Sequence, residues 1–221
     1  MGKIELYAIG GSAPCRAVLL TLKALNVTFE YKLLNLMTGA NRTPEYLAIN
    51  PHGTVPTLVD DGEILTDSHA ITTYLVDKYG TDNSLYPKDL IQRAKVNQVL
   101  FYEATVVFDR TFLSISNAVF NNNNVIPFAK IDAIYKVYER LEGFLQAHTY
   151  VAGEQLTVAD FSLIATITTL FTYAELDAGK YPKIAEWVRR LEELPYYAEA
   201  NGVGLKQYND FVKTVGFKVL R

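Results

Sequence analysis

The chain of 221 residues contains a single cysteine, Cys15. A lone thiol cannot pair within the chain, so a disulfide scaffold is excluded. Net charge is equally scarce. The 21 basic and 24 acidic side chains leave a formal charge of −3, and the pI is near 5.7. A protein that binds nucleic acid by electrostatics is not expected from those values. Apolar runs are short, and none reaches the roughly eighteen residues that a membrane-spanning helix needs. A secretory leader is not expected either, because Met1-Gly2-Lys3-Ile4-Glu5 places an acid where an apolar run would begin. The expected location is therefore cytoplasmic. His52, His69 and His148 have no metal-ligand spacing, so no metal is expected. There is no Gly-Xaa-Ser-Xaa-Gly elbow, no phosphate-binding loop and no dinucleotide glycine fingerprint.

What is present suits a folded protein. Apolar residues make up 49% and charged residues 20%, which excludes disorder. Aromatics are tilted, with 15 Tyr and 11 Phe against 1 Trp. The first eighty residues switch period repeatedly. Ile4 to Tyr7 alternates as a strand does, and Gly10 to Pro14 is a turn opening a helix whose apolar face is Val18, Leu19, Leu22 and Leu25. Phe29–Leu34 reads as a second strand, and Thr43-Pro44-Glu45 starts a short helix. Val55–Val59 and Glu63–Leu65 flank an Asp61-Gly62 hairpin turn, and Asp67-Ser68 caps a helix running to Tyr79. The order βαβαββα implies a small mixed sheet covered by helices.

Residues 81–88 read as a linker, and from 89 to 221 only helical periodicity is found. One long helix is expected over Asp89–Val119, with a possible bend, then a polar loop at Asn121–Asn124. Helices should follow over Pro127–Ala147 and Tyr181–Glu193, with a short one around Leu205–Thr214. Thr157 and Asp160 form a capping box. Charge does not separate the two halves: residues 1–80 hold six basic and eight acidic side chains.

Three fragments carry possible chemistry. Ser12-Ala13-Pro14-Cys15 stands at a strand-to-helix turn. A cysteine pair at that spacing would suggest thiol exchange, but Ser12 replaces the first thiol. A hydroxyl there can donate to an anion such as a ligand thiolate, helped by the helix N-terminus, or it can simply cap the helix. Cys15 reads more simply as a small buried hydrophobe. In Asp67-Ser68 a carboxylate and a hydroxyl at a helix start suit the ammonium and carboxylate of an α-amino acid, or again only a cap. Val55-Pro56 precedes a strand, where an outward main chain could bind an extended peptide.

Taken in order, these segments resemble the insect cytosolic glutathione S-transferases, the epsilon class more than the delta class. The carrying motifs are Ser12–Arg16, Asn50–Pro56, Asp67–Ile71, Ser84–Pro87, Leu156–Phe161 and Leu194–Tyr197, and they cover essentially the whole chain. The resemblance implies a thioredoxin-like domain over residues 1–80 that binds glutathione, an all-helical domain over 89–221, and a homodimer. It implies that Ser12 stabilises the glutathione thiolate, that Val55 with cis-Pro56 binds the cysteine main chain, and that Asp67 and Ser68 hold the γ-glutamyl end. Family members commonly carry histidine at positions 41 and 53, where Asn41 and Gly53 stand. The glycine carboxylate would then rely on His52, Asn41 or Arg42. A second, hydrophobic substrate is expected against Ile9, Gly10, Gly11, Leu34, Phe108, Thr111, Phe112 and Phe211, with Tyr102 and Glu103 adding polar groups. The expected activity is conjugation of glutathione to hydrophobic electrophiles. The alternative is a carrier of hydrophobic ligands on the same fold. Ser12 argues against a glutaredoxin-like reductase, and with Ser12 in the thiolate role Tyr7 is expected only to pack.

Overall fold

In this computed structural model residues 3–121 and 123–220 are described; Met1, Gly2, Asn122 of the asparagine tract and Arg221 lie outside the described residues. The N-terminal part follows the order read from the sequence. Strands β1 (Ile4–Ala8), β2 (Glu30–Leu33), β3 (Thr57–Asp60) and β4 (Glu63–Thr66) form a sheet in the order β2-β1-β3-β4. β1 and β2 run parallel, and the other neighbours are antiparallel. Helix α1 (Ala13–Ala24) makes the crossover between the parallel pair, α2 (Pro44–Ile49) follows two short 3₁₀ turns, and α3 (Ser68–Tyr79) closes the unit. Alternation on β1 buries Ile4, Leu6 and Ala8. They pack against Cys15, Val18 and Leu22 of α1 and Ile71 and Leu75 of α3, the 3–4 spacing that gives a helix one apolar face.

The remaining described residues are mainly helical. α4 (Leu90–Tyr102) runs without a break into a π-helical segment, Glu103–Leu113, and then α5 (Ser114–Asn121). The single long helix expected from the sequence is thus rewound in its middle. α6 (Phe128–Ala147), α7 (Val158–Leu170) and α8 (Pro182–Glu192) follow, and a second π segment, Ala198–Gly202, leads into α9 (Val203–Val215). Purely helical periodicity did not announce β5 (Val125–Pro127) and β6 (Lys218–Leu220), which pair in parallel and tie the chain's end to the turn before α6.

α7 is the axis of this part, and nearly all of it is buried. Its start is held by Asp160, whose carboxylate accepts from the Thr157 and Val151 amides and from Trp187 Nε1 at 2.9, 3.0 and 3.0 Å. α7 also packs on α1. Ala13, Ala17 and Ala165 form a small buried cluster between the two helices. Beside them Arg16 is fully buried. Its Nη2 donates to the Ala165 carbonyl at 2.7 Å and to the Thr169 hydroxyl. Burial pulls the guanidinium down to about 10, so it remains charged at neutral pH and pins the two halves together.

Candidate active site

The β1–α1 turn delivers Ser12 to the N-cap position of α1, where its backbone is extended at φ −79° and ψ 121°. A serine there ordinarily spends its hydroxyl on a helix amide. Here the side chain makes no capping hydrogen bond, and Ser12 lines a cleft of about 960 Å³ between the sheet unit and the helices. Cys15 lies one turn deeper. Burial pushes its thiol up to about 11, against smaller opposing effects of Ser12, the Ile9 backbone and the Arg16 guanidinium. A neutral buried thiol is no nucleophile.

The second edge of the cleft is the start of α3. Asp67 caps that helix through Oδ1, which accepts from the His69 and Ala70 amides at 2.9 and 3.2 Å. It does so at φ 71° and ψ 120°, outside the left-handed helical region that aspartate commonly visits, so the backbone at this cap is strained. Asp67 and Ser68 both line the cleft as well, so capping and exposure to the cleft coexist. His69 joins them, although the sequence reading assigned it no part. Its Nε2 is 2.7 Å from Glu103 Oε2, and its Nδ1 is 3.4 Å from Asp67 Oδ1. Thr166 donates to the other Glu103 oxygen at 2.5 Å. Burial alone would push the imidazole down, but the hydrogen bonds and charges of the two carboxylates outweigh it and lift His69 to about 9. In turn the His69 imidazolium holds the Asp67 carboxyl below its ordinary value. A protonated histidine thus bridges α3 to the π segment and α7.

The third edge is the loop before β3. The Val55-Pro56 peptide is cis, and both residues line the cleft with His52 and Asn41. The loop rests on a buried polar cluster that the sequence reading did not pick out. The Tyr46 hydroxyl donates to the Thr54 carbonyl at 2.6 Å, and Asn50 Nδ2 donates to the same carbonyl at 3.0 Å. Asn41 Nδ2 donates to the Gly53 carbonyl at 2.7 Å. Gly53 has φ +64°, and a β-carbon on it would stand 2.8 Å from Arg42 Nη1 and from the Asn41 carbonyl. Arg42 is therefore not on the cleft wall. Its guanidinium stacks behind Gly53, in the space that a side chain there would take.

The apolar wall comes from both halves. Ile9, Gly11, Phe108, Phe112 and Phe211 line it, and Glu103 adds a polar group. Leu34 does not: its amide donates to the Ala8 carbonyl at 2.9 Å and its side chain is buried. Thr111 does not either. The π winding turns it inward, where its hydroxyl donates to the Val106 carbonyl five residues back at 2.8 Å. Gly10 lies against α9 rather than in the cleft, and Tyr102 packs edge-on to Phe144. Unanticipated wall residues include Leu36, Met37, Gln207 and Tyr208. Tyr7 packs against Tyr46 and donates to Glu5 outside the cleft. Among the described residues no group of three or more His, Cys, Asp or Glu is arranged to hold a metal, and no helix is long and apolar enough to cross a membrane.

A thioredoxin-like unit whose first helix opens with a serine that does not cap it, facing a cleft completed by a helical bundle, defines a transferase fold of the glutathione-binding type. The comparisons agree. The family model for the glutathione S-transferase N-terminal domain matches residues 6–83, and that for the C-terminal domain matches residues 96–195. The chain is 40% identical to glutathione S-transferase 2 of Anopheles gambiae, over 93% of this chain and 98% of that protein. A solved epsilon-class glutathione S-transferase from the housefly, Musca domestica, is 48% identical with a TM-score of 0.96, covering 98% of this chain and all (100%) of that one. A glutathione transferase homologue from Drosophila mojavensis, solved with bound glutathione, is 47% identical with a TM-score of 0.96 over 100% of both chains. The chain belongs to the glutathione S-transferase family and groups with its insect epsilon class.

Proposed function

We propose that the chain is a glutathione transferase in which Ser12 activates the thiol of glutathione for attack on a hydrophobic electrophile. The observation that carries this reading is the Ser12 hydroxyl, which the helix cap leaves uncommitted and which lies on the cleft. Donated to a thiolate, that hydrogen bond is worth roughly 1.5–3 kcal/mol, equivalent to about one to two pKa units. A thiol that starts near pKa 8.5 is then substantially ionised at neutral pH. The positive end of α1 acts in the same direction.

The rest of the co-substrate is read from the remaining edges. Val55 presents its main chain beside Pro56 to the central cysteine of the tripeptide. Ser68 and Asp67 hold the γ-glutamyl carboxylate and ammonium. His69, as a cation beside Asp67, fixes that carboxylate in place. His52 and Asn41 face the glycine end, while Arg42 stands behind Gly53, off the cleft wall. The electrophile lies on the wall of Ile9, Phe108, Phe112 and Phe211, so that proximity and thiolate activation act together. Detoxification of hydrophobic compounds in the cytoplasm is the role proposed for such a reaction. A second copy of the chain is the proposed partner. Supporting it, Leu90 and Phe101 are 80% and 69% exposed on α4, three turns apart on one face.

Replacing Ser12 with Ala should lower kcat/KM for chlorodinitrobenzene at neutral pH by roughly 10–100-fold. Full activity in that variant would refute the role. A carrier with little turnover is the second reading, favoured by the commitment of the Asn41 amide to Gly53. Retention on immobilised glutathione combined with a conjugation assay separates the two, because failure of both leaves the carrier.

A further inference from the structure

Gly204 is buried in the first turn of α9, a helical position where glycine is intrinsically poor. A β-carbon built on it would stand 2.1 Å from the Gly10 carbonyl oxygen, 2.6 Å from its carbonyl carbon and 2.9 Å from its Cα. All three are backbone atoms and cannot swing aside. In the other direction, a β-carbon on Gly10 would meet Gln207 Oε1 at 2.9 Å and Gly204 Cα at 3.2 Å. The β1–α1 turn and α9 therefore touch backbone to backbone. Gly10 lies two residues before Ser12, between Ile9 and Gly11 of the cleft wall. Counting from Gly204, α9 carries Gln207, Tyr208 and Phe211 into the same cleft within its next two turns.

We infer that the Gly10–Gly204 contact sets the spacing between the turn that holds the thiolate and the wall that holds the electrophile, which makes Gly204 a positioning residue for the size of the second substrate. The inference rests on the function proposed above. Its physical content is a displacement. Relief of a 2.1 Å approach to at least 3.0 Å, the shortest distance real β-carbons keep, must move α9 and the β1–α1 turn apart. The contacts proposed for glutathione come from Ser12, Val55, Asp67 and Ser68, none of which is on α9.

The test is Gly204→Ala beside Gly202→Ala, where an added β-carbon meets nothing within 4 Å. Gly204→Ala should raise KM for chlorodinitrobenzene by roughly tenfold, a part of the ~100-fold that about 1 Å of misplacement can cost. It should leave KM for glutathione within about twofold and move the ranking of electrophiles toward bulkier ones; these margins follow from the same geometry. Gly202→Ala should change none of these. The same split is read without turnover by calorimetric titration. Affinity for S-(dinitrophenyl)glutathione should fall while affinity for glutathione holds. Should Gly204→Ala fail to fold, Gly10→Ala meets mainly the mobile end of Gln207 and should show the same split, smaller in size. An unchanged electrophile KM and size ranking would overturn the inference, as would an equal loss for both substrates. A wild-type chain that conjugates nothing would instead overturn the proposed function, and the titration would still decide the role of Gly204.

Discussion

Ser12 occupies a position where a hydroxyl is normally consumed by the helix it starts, and the cap is left unmade. Asp67 does the opposite, capping α3 while still lining the cleft. Both were legible as residues because each marks a helix start, but the sequence left capping and ligand binding open for each. His69 was not legible, because its partner Glu103, and the Thr166 that donates to Glu103, lie far along the chain and only the fold brings them together. Its titration gives a prediction at this scale. The folded-state value of about 9 lies above the ordinary 6.5. The stability it contributes is therefore fully present below pH 6.5 and is lost as pH rises through about 9. Thermal unfolding from pH 6 to 10 should show wild type losing its advantage over His69→Gln across that window. A difference between the two that does not vary with pH would contradict the assignment. Several of the tyrosines have structural roles. Tyr74 and Tyr79 satisfy the buried Asp60 carboxylate, Tyr46 holds the Thr54 carbonyl, and Tyr138 donates to Ala174.

At the scale of elements, the order of strands and helices in the first eighty residues followed from period and turn chemistry. The Asp61-Gly62 turn and the start of α7 were equally plain. What escaped was set by winding and by long-range pairing. Helical spacing at 3.6 residues per turn places Thr111 beside Phe108, but the i→i+5 winding of Glu103–Leu113 turns it inward. Leu34 follows a strand edge, and pleat alternation sends it to the covered side. β5 and β6 are three residues each and pair across ninety positions, so no local pattern marks them. The capping box of α7 is the element on which the bundle most depends. Asp160→Ala leaves the Val151 and Thr157 amides and Trp187 Nε1 without their acceptor. Unpaired buried donors cost about 1–3 kcal/mol each, so a loss of about 3 kcal/mol or more and a fall in Tm of roughly 6–12 °C are expected. Differential scanning calorimetry measures it, and a fall of under about 2 °C would mean that water replaces the carboxylate.

For the whole molecule, the cleft exists only because two differently patterned halves meet. Small residues on α1 and α7 let the helices approach, and buried Arg16 bonds across the join. Ser12, Val55, Asp67 and Ser68 all belong to one half while the apolar wall draws on both, which is why the residues proposed to face glutathione were more readable than the wall. The exposed face of α4 extends the same logic to assembly. Phe101→Asp should turn a dimer into a monomer in sedimentation velocity, and a wild type that sediments as a monomer would contradict the proposed partner. The central claim is that Ser12 stabilises a thiolate that the chain itself does not supply, since its one cysteine is buried. Ultraviolet titration of the thiolate of bound glutathione tests it most directly. The bound thiol should ionise about one to two pH units lower in wild type than in Ser12→Ala, with glutathione still bound in both. Identical thiol pKa values in the two proteins would contradict it.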